Sequence, residues 1–313
     1  MNAELSSGVY TVLACVWGLL ILATGWVARL DRHTPDRDFT ELKQRISSWW
    51  TIVIVCSVAL TLNRTVTLLF FALISFLALK EYLSLIPTRR ADRRVLFWAY
   101  LSIPIQYYWI SVEWYGMFII FVPVYLFLLL PVAMILAGET QGYLRAAGTL
   151  HWGLMSMVFS LSHLAFLLVL PGDMGLSSVS GQGLVLFLIV LTQLNDVAQY
   201  CWGKWLGRHP ISPKVSPNKT VEGFLGGVLT TIVMACGLAP LLTPFTLIDT
   251  VLVGAMIAVA GFFGDLSISA LKRDLGIKDS GTLLPGHGGI LDRVDSLTYT
   301  APLFFHFTRY FYY

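Results

Sequence analysis

Apolar runs of about the length needed to span a membrane recur along this chain of 313 residues. A helix crosses a bilayer with about 20 apolar residues and satisfies its own backbone polar groups while doing so. Only 12% of the residues are charged, against roughly 25% in soluble domains. The sequence therefore predicts an all-α protein, a polytopic transmembrane helical bundle.

Ten candidate spans can be drawn, and several are shorter than about 20 residues, so we expect about eight to ten spans. The candidates are residues 8–30, 49–63, 65–86, 95–111, 114–137, 149–171, 183–205, 223–242, 247–270 and 294–313. No basic segment precedes the first of them, which favours a retained first helix over a cleaved signal peptide.

The basic residues are divided unevenly between the two sides that these spans define. Of the 21 Lys and Arg, all but Arg64, Lys80 and Arg309 lie on one side of the membrane. All the others lie at span ends or in the segments 31–48, 87–94, 138–148, 206–222 and 271–293. The positive-inside rule makes that side cytosolic. The net charge of +3 is then a topology signal, and nucleic acid is not expected as a partner.

Polar residues suited to chemistry are concentrated toward the C-terminus. We therefore divide the chain into an N-terminal set of transmembrane helices, residues 1–180, and a C-terminal catalytic transmembrane region, residues 181–313. The four cysteines lie in apolar segments at spacings that suit no zinc site, and they are typical of membrane packing residues.

The first polar segment of the C-terminal region lies inside the seventh candidate span. It contains Asn195 and Asp196, followed by Tyr200. A carboxylate in a membrane helix costs about 2.5–3.5 kcal/mol on insertion scales, so a partner or a function is expected. The alternative is an aspartate that pairs within the bundle.

The second polar segment covers residues 207–227. Its prolines and glycines predict a loop, followed by a helix that starts near Thr220. Helix-start amides together with Lys219 and the hydroxyls of Ser216 and Thr220 would form an anion site. A solvated basic loop is the alternative. The two glycines that end the segment are expected to permit close helix packing.

The third polar segment begins at the end of the ninth candidate span. A continuing helix would place Asp265, Ser269, Lys272 and Arg273 on one face. Two aspartates follow, Asp292 and Asp295, separated by Arg293 and one other residue. Carboxylate oxygens suit a hard cation such as Mg²⁺, which commonly takes one or two carboxylates plus substrate phosphates.

We therefore predict that Asp265 and Asp292 bind a Mg²⁺ ion, which can bridge phosphate oxygens. Lys219, Lys272 and Arg273 are predicted to neutralise the remaining phosphate charge. Such a set suits a membrane enzyme that brings a nucleoside triphosphate to a lipid phosphate.

The loop between the two halves of the third segment is also polar. It carries Lys278 and Asp279, then His287, Gly288 and Gly289. His287 is a candidate general base, but it equally suits binding to a phosphate or to the backbone.

The third segment resembles the signature of the CDP-diacylglycerol synthases, or phosphatidate cytidylyltransferases. The matching positions are Ser269, Leu271, Lys272, Arg273, Lys278, Asp279, Gly281, Leu284, Pro285, His287, Gly288, Gly289, Ile290, Asp292, Arg293, Val294 and Asp295. The second segment is similar to the family pattern Ser-Pro-x-Lys-Thr-x-Glu-Gly-x-x-Gly-Gly. The resemblance covers about residues 190–296.

The resemblance implies that CTP and phosphatidic acid react to give CDP-diacylglycerol and pyrophosphate, with Mg²⁺ and no general base. It implies catalytic roles for Asp265, Lys272, Arg273, Asp292 and Asp295, with Asp265 and Asp292 on the metal. Asp196 and Asp295 would be outer contacts or ligands of a second cation. Substrate contacts are implied for Asn195, Asp196, Ser216, Lys219, Thr220, Ser269, Lys278, Asp279, His287, Gly288, Gly289 and Arg293.

One position departs from the family pattern. Gln199 stands before Tyr200, where the family usually has alanine. A longer polar side chain there would alter the lipid or nucleotide pocket, so the lipid acid stays open. The oligomeric state stays open too, with a homodimer among the options.

Two other functions remain as alternatives. A CTP-dependent kinase of a polyprenol or phytol type would also span the membrane, but it would need a carboxylate base for an alcohol. An ion-coupled transporter would use Asp196 and Asp265 as an ion path, but it has no evident use for the glycine-rich loop. The expected location is the inner membrane of a bacterium, with membrane lipids around the spans and the site loops in the cytosol.

Overall fold

The computed structural model describes residues 6–33, 39–87, 93–136, 138–170, 179–281 and 288–313. It is a helical bundle, as the sequence predicts. The N-terminal helices are α1 Ser7–His33, α2 Thr40–Leu62, α3 Arg64–Leu85, α4 Arg93–Ser111, α5 Tyr115–Ile120, α6 Phe127–Leu136, α7 Tyr143–Gly153 and α8 Leu161–Leu167. Two π-helical stretches, Phe121–Leu126 and Leu154–Ser160, join α5 to α6 and α7 to α8.

The C-terminal region adds five helices and a small hairpin to the described part of the chain. The helices are α9 Gly181–Leu206, α10 Val221–Leu242, α11 Leu247–Asp274, α12 Leu291–Val294 and α13 Leu297–Tyr312. The strands β1 Pro210–Ser212 and β2 Ser216–Thr220 pair antiparallel, with Pro210 opposite Thr220 and Ser212 opposite Ser216.

Eight continuous helical segments of the described chain are long and apolar enough to cross a membrane. This number lies within the predicted range, and the protein is an integral membrane protein. The predicted spans 95–111 and 294–313 correspond to α4 and α13, which are not among the eight. One reason is length, because α13 has only 16 residues.

Side-chain caps fix where the C-terminal helices begin. Ser180, Thr220 and Thr246 each accept a hydrogen bond from the amide three residues further on, and so start α9, α10 and α11. Such caps satisfy amides that the helix itself cannot reach. The predicted helix start near Thr220 is confirmed.

The core lies where α3, α8, α9 and α13 meet. Residues 161–170 are buried without interruption. Aromatic rings from four elements pack edge to face there, for example Phe118 against Phe305 and Phe166 against Phe305. This core supports one face of α9 and of α11, the helices that carry the polar segments.

The segment predicted as a loop before α10 forms the β1–β2 hairpin instead. Glu222, in the first turn of α10, accepts hydrogen bonds from the backbone amides of Arg208 and His209. The carboxylate therefore links the start of the hairpin to α10. The prolines of this segment predict a loop and give no sign of this link.

Glycines bring α10 very close to α9. A Cβ on Gly223 would lie 2.8 Å from the carbonyl oxygen of Gln199, and one on Gly226 would lie 2.3 Å from the Trp202 ring. No larger residue fits at these crossings. The predicted close packing at Gly226 and Gly227 is confirmed, and it positions the hairpin over the end of α9.

Candidate active site

A cleft of about 190 Å³ opens between α9, the hairpin, the start of α10 and α11. Two of the polar segments and the beginning of the third contribute to its walls. Its lining consists of Asp196, Gln199, Tyr200, Ser216, Asn218, Lys219, Thr220, Gly223, Phe224, Phe262 and Asp265. The fold thus brings together side chains that are about 70 residues apart in sequence.

An ion pair crosses this cleft. The Lys219 Nζ lies 2.6 Å from the Asp265 Oδ2, with 15% of the lysine side chain and 27% of the aspartate side chain exposed. The ammonium also lies 4.7 Å from the centre of the Phe262 ring, a cation–π contact. Ser269, one turn after Asp265, donates to its Oδ1 at 3.0 Å. Lys219 is therefore held by an anion and a ring, at an open edge.

Further carboxylates lie close to Asp265. Asp196 and Asp295 both interact electrostatically with Asp265, and Arg293 interacts with Asp196 and Asp295. Ser296 donates to both oxygens of Asp196, at 3.2 and 3.0 Å. Three predicted site aspartates, from the first and third polar segments, thus share one region with the cations Lys219 and Arg293.

A second ion pair joins α11 to α12. The Lys272 Nζ lies 2.7 Å from the Asp292 Oδ1, and only 12% and 6% of these side chains are exposed. The Asp292 Oδ2 accepts from the Ser280 amide, the Ser280 hydroxyl and the Gly289 amide at 2.9, 2.8 and 3.1 Å. Burial acts to raise the pKa of Asp292, but the hydrogen bonds from Lys272, Ser280 and Gly289 outweigh it, so the pKa lies below its ordinary value.

Glu81, near the end of α3, also contacts this part of the chain. Its carboxylate accepts hydrogen bonds from the Ser280 hydroxyl, the Ile290 amide at 2.9 Å and the Leu291 amide at 3.2 Å. The last two are free amides at the start of α12. Sequence reasoning missed Glu81. The available signal was a carboxylate within an apolar run of the third candidate span.

The predicted substrate residues Gly288 and Gly289 lie against these carboxylates. A Cβ on Gly289 would lie 1.9 Å from the Glu81 Oε1, and one on Gly288 would lie 2.4 Å from the Asp292 Oδ2. Gly288 also has a φ of 78°, which favours glycine. Glycine at these two positions leaves room for the carboxylates of Glu81 and Asp292. Binding of substrate by the two glycines stays a prediction.

Arg273 is placed outside the cleft lining. Its Nε donates to the Val215 carbonyl at 3.2 Å, and its Nη1 donates to the Ile277 carbonyl at 3.2 Å. It therefore links the hairpin to the end of α11. Lys278 and Asp279 are exposed beyond that helix. His287 lies outside the described residues.

Two other predicted substrate residues have structural contacts. Asn195 is fully buried, accepts from Thr231 of α10 and donates to the Ala258 carbonyl of α11. The Thr220 hydroxyl caps α10, although the residue also lines the cleft. Asn195 thus joins three helices beneath the site.

The donor set near Asp265 suits a hard cation. Within the described ranges no three His, Cys, Asp or Glu side chains are grouped to hold a metal ion by themselves. Mg²⁺ needs only one or two carboxylates when substrate phosphates and water complete its ligands. Asp265, with Asp196 beside it, meets this requirement. At Asp292, a cation would have to displace Lys272 from the Oδ1.

A larger apolar groove, of about 450 Å³, lies between α3 and α4. It is lined by aliphatic, aromatic and hydroxyl side chains such as Leu69, Phe76 and Tyr108, without a charged one. A groove of this composition offers no cation to a phosphate. The smaller, charged cleft is therefore the candidate active site.

Bundle and cleft together define a membrane-embedded protein with cations and carboxylates at one end of its helices, a combination suited to phosphate chemistry. The cytidylyltransferase family matches residues 43–311. The chain belongs to this family and is therefore a nucleotidyltransferase.

Similar proteins are found in several bacteria. A protein of Escherichia coli (strain K12) named "Uncharacterized protein YnbB" is 47% identical over 298 residues, 95% of this chain and 97% of that protein. A phosphatidate cytidylyltransferase of Synechocystis sp. is 49% identical over 113 residues, 36% of this chain and 38% of that protein. One of Staphylococcus aureus (strain COL) is 37% identical over 153 residues, 48% of this chain and 58% of that protein. The chain thus matches only part of the relatives with a named activity.

Proposed function

We propose that this protein transfers CMP from CTP to phosphatidic acid, giving CDP-diacylglycerol and pyrophosphate for phospholipid synthesis. The phosphate oxygen of the lipid attacks the α-phosphorus of CTP, and the bond to the β-phosphate oxygen breaks. The lipid phosphate is already ionised at neutral pH, so no side chain has to remove a proton. The protein's task is to bring two anions together and to stabilise the added charge.

The Lys219–Asp265 pair in the charged cleft is the observation that carries this proposal. A cation held at an open edge by a carboxylate and a ring can turn to a phosphate without a large rearrangement. The carboxylate that it leaves is then free to take up a cation. Arg293, whose Nε is buried without a hydrogen-bond partner among the described residues, offers a second positive charge on the same side.

We propose Mg²⁺ as the cofactor, with Asp265 as a ligand and Asp196 and Asp295 as neighbouring carboxylates. When bound, it would neutralise negative charge on the phosphates and on the leaving pyrophosphate. A metal role for Asp292 stays a prediction from the sequence. Lys272 holds Asp292 in place, and that ion pair fixes α12 against α11.

The proposed location is the inner membrane of a bacterium, with the hairpin and the residues after α11 on the cytosolic side, where CTP is found. The uneven distribution of Lys and Arg supports this orientation. The lipid acid would enter from the bilayer, and CTP from water.

The test is transfer of label by the purified protein in lipid nanodiscs that contain phosphatidic acid. CTP labelled at the α-phosphate should give a labelled lipid, and CTP labelled at the γ-phosphate should release its label as pyrophosphate. Nanodiscs with diacylglycerol in place of phosphatidic acid are the control and should stay unlabelled. A γ-labelled lipid would instead indicate a lipid kinase, and no labelled lipid from either nucleotide would contradict the proposal.

A further inference from the structure

Gln199 lies in the wall of the charged cleft, one turn after Asp196 on α9. Its side chain carries no charge and is only 9% exposed. Its Nε2 is buried and has no hydrogen-bond partner in the described part of the chain. Buried amide donors are rarely left without an acceptor, because they lose their hydrogen bonds to water.

Packing against α10 holds this side chain in place. A Cβ on Gly227 would lie 2.3 Å from the Gln199 Cγ. The glycine therefore makes the space that the glutamine stem fills, between the two helices. A stem held in this way has few conformations left, so ordering the amide against a ligand would cost less entropy.

The neighbouring groups indicate what an occupant of the cleft offers to this amide. Lys219 lies in the same lining and attracts an anion. Phosphate oxygens are strong acceptors, and both substrates of the proposed reaction carry them. Gln199 thus carries a donor without a partner and lines the same cleft as this cation, an arrangement suited to recognition of an acceptor.

We propose that Gln199 is a specificity-determining residue whose side-chain amide donates a hydrogen bond to an acceptor oxygen of the substrate in this cleft. The oxygen belongs either to the nucleotide or to the lipid acid. The names of these substrates rest on the proposed function, but the need of the amide for an acceptor does not.

The variant Gln199→Met tests this inference, because methionine keeps the length of the unbranched stem and removes the donor. We expect KM for one substrate to rise roughly 10- to 100-fold, as for a lost hydrogen bond to a charged group, while KM for the other stays within about twofold. We also expect thermal stability to be unchanged or raised, since the variant no longer buries an unpaired amide. The substrate whose KM rises identifies the source of the oxygen.

Gln193→Met is the matched control, because Gln193 lies on α9 but outside the cleft lining. It should leave both KM values unchanged. Raised stability of Gln199→Met with both KM values unchanged would overturn the inference.

If the wild-type protein gives no product from CTP and phosphatidic acid, the proposed function fails, and equilibrium binding decides about Gln199. CTP alone, and phosphatidic acid in nanodiscs, are then titrated against the wild-type protein and Gln199→Met. Weaker binding of either by the variant supports the inference. Equal affinities, or no binding of either, overturn it.

Discussion

Two Lys–Asp pairs of nearly equal length lie at the same end of the bundle. Their lysines are almost equally buried, but 27% of the Asp265 side chain and only 6% of the Asp292 side chain are exposed. Lys219 and Asp265 are 2.6 Å apart at the open cleft, and Ser269 adds one hydrogen bond to the carboxylate. Lys272 and Asp292 are 2.7 Å apart in a buried position, and Ser280 and Gly289 add three.

The difference fits the proposed function, in which one Lys–Asp pair binds ligands and the other holds the fold together. A carboxylate with unused lone pairs at a half-open edge can exchange its lysine for a cation or a water. A buried carboxylate with four donors cannot do so without leaving some of them unpaired. Under the proposed function, the first pair binds substrate and a cation, and the second holds α12 and the residues before it in place.

Asp265→Asn should give the largest loss of activity. Removing a charged ligand should cost several kcal/mol of transition-state stabilisation, a reduction in kcat of at least about 100-fold. The thermal midpoint should change little, because the pair is partly exposed. Asp274→Asn, an exposed aspartate at the end of the same helix, is the control. Near-normal activity of Asp265→Asn at saturating Mg²⁺ would remove Asp265 from the site.

Asp292→Asn should act on stability first. Breaking a buried pair by removing one partner costs about 3–5 kcal/mol, so the thermal midpoint should fall clearly. The residual activity should need the same Mg²⁺ concentration as the wild-type protein. Asp279→Asn, at an exposed aspartate in the same segment, should leave the thermal midpoint unchanged. A requirement for much more Mg²⁺, at an unchanged midpoint, would restore the role of metal ligand that the sequence predicts for Asp292.

Glu81→Gln should have an intermediate effect and should be coupled to the buried pair. Glutamine has nearly the volume of glutamate, but its side-chain NH₂ is a donor and would face the Ile290 and Leu291 amides, which are donors too. The unpaired amides should cost about 1–3 kcal/mol of stability. We expect a lower kcat with little change in KM for CTP. Lys80→Gln, at the neighbouring exposed residue, is the control.

A double-mutant cycle sharpens that comparison. Glu81 and Asp292 share Ser280, so Glu81→Gln and Asp292→Asn should be non-additive in stability by about 0.5–3 kcal/mol. Glu81→Gln and Asp265→Asn share no contact and should add. Equal coupling of Glu81 to Asp265 and to Asp292 would argue against a division of these residues into a cleft and a separate buried ion pair.

Arg273→Lys should have the smallest effect. Lysine keeps the charge but cannot bridge the Val215 and Ile277 carbonyls as the guanidinium does. We expect KM for CTP to rise less than about tenfold, through a looser hairpin. Arg208→Lys, an exposed arginine at the start of the hairpin, is the control. A rise above about 100-fold would place Arg273 on the triphosphate, as the sequence predicts.

Much of this arrangement could be predicted from the sequence. The apolar runs are long enough to identify a membrane bundle, and the cap at Thr220 is a local pattern. The proximity of Lys219 to Asp265 could be expected because both residues are predicted to bind the phosphates of one nucleotide, Asp265 through Mg²⁺. Glu81 could not be found in this way, because its partners follow it by about 200 residues and no local pattern connects them.

The different environments of the Lys219–Asp265 and Lys272–Asp292 pairs could not be predicted from the sequence either. Burial of Asp292 depends on how α12 packs against α3 and α11. A side chain at Gly289 is excluded because Glu81 occupies the space beside it. Arg273 shows the same limit. Its offset from Asp265 on α11 predicts a shared face, but its side chain turns to the Val215 carbonyl of the hairpin.

The contact of Glu81 with Ser280 also affects biogenesis. Their separation of 199 positions corresponds to roughly 10–40 s of synthesis at about 5–20 residues per second. During this time α3 has already left the ribosome, and its carboxylate has neither the Ser280 hydroxyl nor the amides of α12. The first half of the chain is therefore made with Glu81 unpartnered, and a nascent chain that stops before Ser280 cannot form these contacts.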